Sequence, residues 1–224
     1  MFKYVLIDVD GTLLDFKLGE KNAIKETINH FFNYELNNDE INKYSDINEF
    51  YFKEYQNDKM KRSEFHFNRF NEFIKYLGFK GDVIEINNYY LNSLKYQAIL
   101  YDDILDNLLY LSKKYKLFVA SNGMTNVQKK RLEIANIDKY FIKNYVSEEV
   151  GYNKPDKKFF DYIFKDLNDF DNNNYVIIGD RLDSDILGGI NTNIKTIYLN
   201  RKNILNDIKP DYVISSFNEI KNIL

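Results

Sequence analysis

VLIDVDGTLLDF, residues 5–16, begins as a buried strand and turns acidic within one step. Val5, Leu6 and Ile7 are apolar, and Asp8 and Asp10 follow with only Val9 between them. Side chains two apart on an extended backbone lie on the same side, so both carboxylates can address one ligand. Their repulsion raises one pKa unless a cation intervenes. Magnesium suits such a pair, because it takes hard oxygen ligands and is commonly held by one or two carboxylates together with a substrate phosphate.

Four runs have the character of buried parallel strands: YVLID (4–8), KLFVAS (116–121), YVIIGD (175–180) and KTIYLN (195–200). Each is short and apolar without strict alternation, and stretches of helical periodicity separate them. That pattern predicts an α/β fold with a doubly wound parallel sheet covered on both faces. DYVISS (211–216), after Pro210, reads as a further strand before a final helix, and NYVS (144–147) as another short one. From residue 16 to residue 97 the pattern changes. KNAIKETINHFF (21–32) and SEFHFNRFNEFIKYLGF (63–79) are helical, the second with Phe67, Phe70, Phe73, Ile74 and Leu77 in register and Gly78 as its stop. The expected organisation is an α/β core over 1–15 and 98–224, with an all-helical domain, 16–97, inserted after the first strand.

Ligands of open α/β sheets bind beyond the carboxyl ends of the strands. There this chain places Asp8-Val9-Asp10-Gly11-Thr12, then Ser121-Asn122-Gly123, then Gly179-Asp180 with Asp183 and Asp185 close behind. Lys154-Pro155 lies in a loop between the last two. Asp180 would add a metal ligand beside Asp8 and Asp10.

DVDGT, a strand ending in SNG, an isolated Lys-Pro and GDRLDSD resemble, in that order, the four motifs of the haloacid dehalogenase-like (HAD) phosphatases. SNGMTNVQKKRLEIANIDKYF, VSEEVGYNKPDKKFFDY and GDRLDSDILGGINTNIKTIYLN resemble the pyrimidine 5′-nucleotidase branch, and the helical insert sits where that branch has its cap. Four motifs in order on predicted strand ends are far more specific than any one alone. The resemblance implies that Asp8 attacks phosphorus and that Asp10 protonates the leaving alcohol, then deprotonates water. It implies that Ser121, Asn122 and Gly123 hold the phosphoryl oxygens and that Lys154 offsets charge. Mg²⁺ would sit on Asp8, the Asp10 carbonyl and Asp180, with Asp185 and Asp183 orienting its waters.

Simpler readings compete at several positions. Thr125 and Gln128 form a T-x-x-Q capping-box pattern, Pro155 could open a helix, and Asp183 could be a solvated or capping group. His30 and His66 lie in the insert without a ligand-like cluster, and the aromatic stripes there read mainly as core. Phe16, beside the first motif, is a candidate for stacking on a base. Gly188 and Gly189 suit close backbone packing rather than ligand contact.

Composition narrows the function. Of 224 residues, 31 are Lys or Arg and 34 are Asp or Glu, so the net charge of -3 offers no general pull on nucleic acid polymers or anionic membranes. Cysteine is absent, which excludes disulfides, thiolate metal sites and a cysteine nucleophile. No apolar stretch approaches the ~20 residues of a membrane span, and no signal-peptide pattern opens the chain. The expectation is a cytoplasmic, Mg²⁺-dependent hydrolase of a small phosphomonoester, a 5′-nucleotidase for pyrimidine nucleoside monophosphates, as a monomer or homodimer. A sugar-phosphate phosphatase and a phosphomutase are the rivals within the superfamily. The dehalogenase reading is poorer, because that chemistry does not call for Asp10 or Asp180. A signalling phospho-acceptor or a binding protein without catalysis is the alternative of another class.

Overall fold

The structure is a computed structural model that describes residues 2–201, 203–204 and 207–224. The chain forms two compact units, one comprising Met1–Phe16 and Ala98–Leu224, the other Lys17–Gln97.

The second unit is helical: α1 (Phe16–Phe32), α2 (Asn38–Gln56), α3 (Arg62–Tyr76) and α4 (Val83–Leu94). The first helix starts five residues earlier than its apolar pattern indicates. Asn37 opens α2 with a capping box, its Oδ1 accepting the Glu40 N–H at 3.0 Å while Glu40 Oε2 accepts the Asn37 N–H at 2.8 Å. Chain reversal after α3 uses Gly78 at φ +75°, a left-handed backbone that favours glycine. Phe70, Phe73 and Ile74 are buried as the stripe requires, but Phe67 is exposed, and Phe65 and Arg69 lie inside instead.

Arg69 belongs to a polar chain with one member on each helix. Glu20 of α1 accepts from Asn48 Nδ2 of α2 at 2.7 Å, and Asn48 Oδ1 accepts from Arg69 Nη1 of α3 at 2.8 Å. Arg69 Nη2 then donates to Asn87 Oδ1 of α4 at 2.8 Å. Ser45 also donates to Glu20, and the Arg69 guanidinium lies against the rings of Phe65, Phe70 and Tyr90. Buried polar groups are tolerated when satisfied in this way.

The first unit is built on a six-stranded parallel sheet: β1 (Tyr4–Ile7), β2 (Lys116–Ser121), β3 (Lys143–Val146), β4 (Tyr175–Gly179), β5 (Lys195–Leu199) and β6 (Tyr212–Ile214), in the order β3-β2-β1-β4-β5-β6. β2 covers the run read as a strand. β1, β4 and β5 stop one residue short of theirs, where the polar residue leaves the ladder, β3 begins one residue early, and β6 is only three residues long. Alternation divides the core. Val5, Ile7, Leu117, Val119, Val176 and Ile178 face one side, while Leu6, Phe118, Ala120 and Ile177 face the other. The first side packs Leu108 and Leu111 of α5 (Leu105–Ser112), Leu132 of α6 (Thr125–Ile134), and Phe217 and Ile220 of the closing 3-10 helix Phe217–Asn222. After the short α7 (Ser147–Val150), the other side packs Phe159, Phe160, Ile163 and Phe164 of α8 (Lys157–Leu167). The chain thus covers both faces of the sheet, as the continuous apolar strands require. Beyond β4, a π-helical turn, Leu182–Ile186, leads into α9 (Leu187–Asn191).

Chain order reverses at β1. After it the chain fills the β2–β3 side, then crosses to β4 and beyond. The carboxyl ends of β1, β2 and β4 therefore converge on one crevice, the usual place for a ligand in such a sheet. No helix among the described residues is long and apolar enough to cross a membrane.

Candidate active site

Asp8 leaves β1 as soon as pairing ends, its N–H still bonded to the Ile178 carbonyl at 2.9 Å. Its side chain is buried, and Oδ1 accepts from Lys154 Nζ at 2.8 Å. The same ammonium donates to Asp185 Oδ1 at 2.6 Å and to the Ala120 carbonyl at the end of β2. Asp180 follows β4 immediately. Its Oδ1 accepts from Thr12 Oγ at 3.4 Å, which ties it to the β1 loop. Gly11 is required there twice over: its φ is +86°, and a Cβ would stand 2.2 Å from Asp180 Oδ2.

Carboxylate oxygens of Asp8, Asp180 and Asp185 lie within 4.8 Å of one another. The three carboxylates crowd around the Lys154 ammonium, with the Arg181 guanidinium also acting on Asp180, and the cluster stays rich in acid. Burial pushes the Asp8 carboxyl well above the ordinary carboxylate range; Lys154 opposes that, and Asp185 and Asp180 add to it. Burial, then Asp185, push Asp180 up to about 7. Burial alone would lower Lys154, but Asp185 and Asp8 outweigh it, and the ammonium is held protonated. An acid-rich, all-oxygen donor set fits a hard divalent cation.

Ser121 ends β2, buried, and its Oγ accepts from the Gly123 N–H at 3.1 Å and from Gln128 Nε2 at 3.0 Å. The Asn122 side chain is engaged elsewhere, which leaves its backbone for the expected phosphate contact. Its side-chain amide is committed to the backbone of Lys154, with Nδ2 donating to the Lys154 carbonyl and Oδ1 accepting the Lys154 N–H, both at 2.8 Å. It clamps the lysine loop rather than offering its side chain to phosphate. Gly123 leaves room for a neighbour, since a Cβ would stand 2.5 Å from Gln128 Nε2.

That neighbour corrects the capping-box reading. Met124, not Thr125, occupies the N-cap of α6 without a side-chain capping bond of its own, and the Thr125 N–H is taken by Glu148 Oε2 at 2.8 Å. The Gln128 amide turns into the site, where Nε2 donates to Asp10 Oδ2 at 2.5 Å as well as to Ser121. Arg131, fully buried on the same face of α6, donates from Nη1 to Asp10 Oδ1, and to Gln128 Oε1 at 3.2 Å. Neither residue was anticipated. The available signal was their register: Val127, Gln128, Arg131 and Leu132 form one buried face, so two polar side chains occupy positions where an amphipathic helix should be apolar.

Lys154-Pro155 is not a helix opening. Asp156 caps α8, accepting the Lys158 N–H at 2.9 Å, so Pro155 lies outside the helix. Asp183 lies apart from the acid cluster. It is exposed and paired with Arg181, whose Nε and Nη2 reach it at 3.1 and 2.9 Å, whereas Asp185, two residues on, is fully buried. Asp183 is therefore a solvated ion-pair partner rather than a group that orients metal waters. His30 stacks on Tyr89, with centroids 4.1 Å apart, and His66 lies 3.1 Å from Arg69 Nη2; neither joins a potential ligand cluster among the described residues. Phe16 lies beneath the Arg131 guanidinium, 5.9 Å from ring centroid to Cζ. Gly188 and Gly189 do serve packing, with no room for a Cβ against Phe160 and Thr196 respectively.

An acid at the end of β1, a lysine bridging it to a second acid, and a third acid at the end of β4 define a hydrolase site of the phosphoryl-transfer type. The sequence profile described as haloacid dehalogenase-like hydrolase matches residues 5–199, and the chain belongs to that family, as a phosphatase. YfnB of Bacillus subtilis, which carries a HAD-hydrolase name, is 31% identical over 225 residues, spanning 100% of this chain and 95% of that one. Its magnesium-bound crystal structure superposes with a TM-score of 0.93 at 31% identity, covering 99% of this chain and 98% of that chain. The pyrimidine 5′-nucleotidases PynA of Streptococcus pneumoniae and YjjG of Escherichia coli are 29% and 26% identical, covering 100% and 99% of this chain and 97% of each relative.

Proposed function

We propose that this protein is a magnesium-dependent 5′-nucleotidase that hydrolyses pyrimidine nucleoside monophosphates through an aspartyl-phosphate on Asp8. The observation that carries the reading is the environment of Asp8: a buried carboxylate at the sheet's switch point, bonded to Lys154 and facing Asp180 and Asp185. The nucleotide assignment rests on the relatives PynA and YjjG.

Asp8 and Asp180, with the Asp10 carbonyl, would hold Mg²⁺, which when bound supplies charge neutralisation between the Asp8 carboxylate and the phosphoryl oxygens. In the first half-reaction an Asp8 oxygen attacks phosphorus, the bond from phosphorus to the ester oxygen breaks, and Asp10 gives its proton to the departing nucleoside alkoxide. In the second, Asp10 takes a proton from water, the water oxygen bonds to phosphorus, and the Asp8–phosphorus bond breaks to release phosphate. Lys154 keeps Asp8 oriented and balances part of the charge on the transferring group. Ser121 binds a phosphoryl oxygen. The helical unit of residues 17–97 acts as a cap that excludes water and selects the leaving group.

The test is phosphate release from a panel of nucleotides and sugar phosphates with Mg²⁺, beside Asp8→Asn. Preference for UMP, dUMP or dTMP, lost on chelation, supports the reading. A strong preference for sugar phosphates would overturn the nucleotidase assignment and leave the phosphatase, and dependence on a sugar bisphosphate activator would point to a mutase.

A further inference from the structure

Asp10 must place an oxygen within hydrogen-bonding reach of the leaving group, yet it stands on a loop, its side chain 28% exposed, just before a glycine at φ +86°. We propose that Arg131 and Gln128 of α6 are positioning residues, locking the Asp10 carboxylate beside the phosphate site and forcing the Ser121 hydroxyl to act as a hydrogen-bond donor towards the phosphoryl group. This rests on the acid–base role given to Asp10 above.

Each carboxylate oxygen of Asp10 has its own donor. Arg131 Nη1 takes Oδ1, and Gln128 Nε2 takes Oδ2 at 2.5 Å. Two donors on two oxygens fix both side-chain torsions, which a single contact would not. The orientation of the Gln128 amide is unambiguous, because Oε1 faces a guanidinium N–H at 3.2 Å while Nε2 faces a carboxylate and a hydroxyl. An amide nitrogen carries two hydrogens. One goes to Asp10 and the other to Ser121 Oγ, so a single side chain sets the spacing between the acid–base group and a phosphate-side hydroxyl.

The polarity of Ser121 follows. Its oxygen has two lone pairs, and these accept from the Gly123 N–H at 3.1 Å and from Gln128 at 3.0 Å. Its one hydrogen is left to point outward as a donor, the role an anionic phosphoryl oxygen needs. Gly123 has its place in the same device, since any Cβ there would displace the Gln128 amide.

A merely structural role for the Arg131–Asp10 pair would slow every substrate alike. A positioning role weighs most where a proton must move. UMP has a poor leaving group that needs the acid, whereas p-nitrophenyl phosphate expels nitrophenolate without one. Arg131→Met should lower kcat for UMP about 100-fold with little change in KM, the size of effect that misplacement of a catalytic group produces. The pre-steady-state burst of nitrophenolate should fall less than about 10-fold, and acid-quenched enzyme should hold more phosphate on Asp8 than wild type, because water activation is then the slow step. Gln128→Glu, near-isosteric, should show the same split and in addition raise KM for both substrates, since a carboxylate accepts the Ser121 proton instead of supplying one. Arg131→Lys should recover part of the UMP rate.

Equal losses of burst and UMP turnover, unchanged kinetics, or an unchanged level of phospho-Asp8 would overturn the proposal. If Arg131→Met does not fold, the Gln128→Glu split decides alone. Wild-type enzyme that releases no phosphate from either substrate would instead overturn the phosphatase reading, a different result from an active enzyme indifferent to these variants.

Discussion

Two buried polar clusters lie in this chain, one in each unit, and they are built on opposite principles. In the helical unit, Glu20, Asn48, Arg69 and Asn87 form a chain in which one acid is offset by one base and amides link them. In the sheet unit, Asp8, Asp180 and Asp185 crowd together around the single ammonium of Lys154. The first cluster is balanced in charge by the protein itself, although the buried Arg69 Nε has no hydrogen-bond partner among the described residues. The second is rich in acid, and burial first, then the neighbouring carboxylates, push Asp8 and Asp180 above their ordinary range. A charge-balanced network holds helices together, whereas an acid-rich one is kept at the expense of stability for something that arrives from outside.

The sharpest way to break this comparison is to remove the ammonium that bridges Asp8 and Asp185. Lys154→Met leaves Asp8 and Asp185 facing each other without compensation, and should cost about 3–5 kcal/mol along with nearly all turnover. Urea denaturation and phosphate release measure both. A variant as stable as wild type would mean that the cluster is not strained. Arg69→Met, in the charge-balanced cluster, strands the side-chain carbonyls of Asn48 and Asn87 and should cost roughly 2–4 kcal/mol. Turnover of p-nitrophenyl phosphate per folded molecule should change little. A loss of activity larger than the loss of folded protein would erase the distinction between the two clusters.

The smallest effect has the opposite sign. Asp180 has a folded pKa of about 7, above that of the unfolded chain. Its contribution to stability is therefore complete at acid pH and is lost as pH rises towards and through 7. Without metal, Asp180→Asn should stabilise the protein by roughly 1–2 kcal/mol at pH 8 and not at pH 4. Added Mg²⁺ should raise the melting temperature of wild type at pH 8 and leave that of the variant nearly unchanged, since binding to the folded state alone is what stabilises. Thermal unfolding at the two pH values, with and without metal, checks all four corners. Destabilisation of the metal-free variant at pH 8 would show that Asp180 is held by the protein after all.

What could be read from sequence divides along a physical line. The strands were legible because a sheet covered on both faces needs uninterrupted apolar runs, and Asp8, Ser121 and Asp180 stood out because they end such runs. Lys154 was legible as an isolated cation in the same company. Long-range or rotational facts were not. Asn122 sits in a phosphate-site motif, but its partners lie 32 residues away on the Lys154 backbone. Asp183 and Asp185 are indistinguishable in GDRLDSD, and only the π-helical turn decides which of them faces inward. Gln128 was hidden by a local rule, because a T-x-x-Q pattern at a helix start satisfies capping equally well on paper. The register of Gln128 with Val127 and Leu132 was the better guide, since polar residues on a buried face need buried partners.

The central claim is that Asp8 is the nucleophile of a covalent phosphatase. The direct measurement is an acid quench of the enzyme turning over phosphate-labelled UMP with Mg²⁺, followed by peptide mapping. The account predicts a base-labile phosphoryl group on the peptide carrying Asp8, absent from Asp8→Asn together with turnover. Rapid phosphate release with no label at Asp8, or an Asp8→Asn enzyme that still turns over, would contradict it.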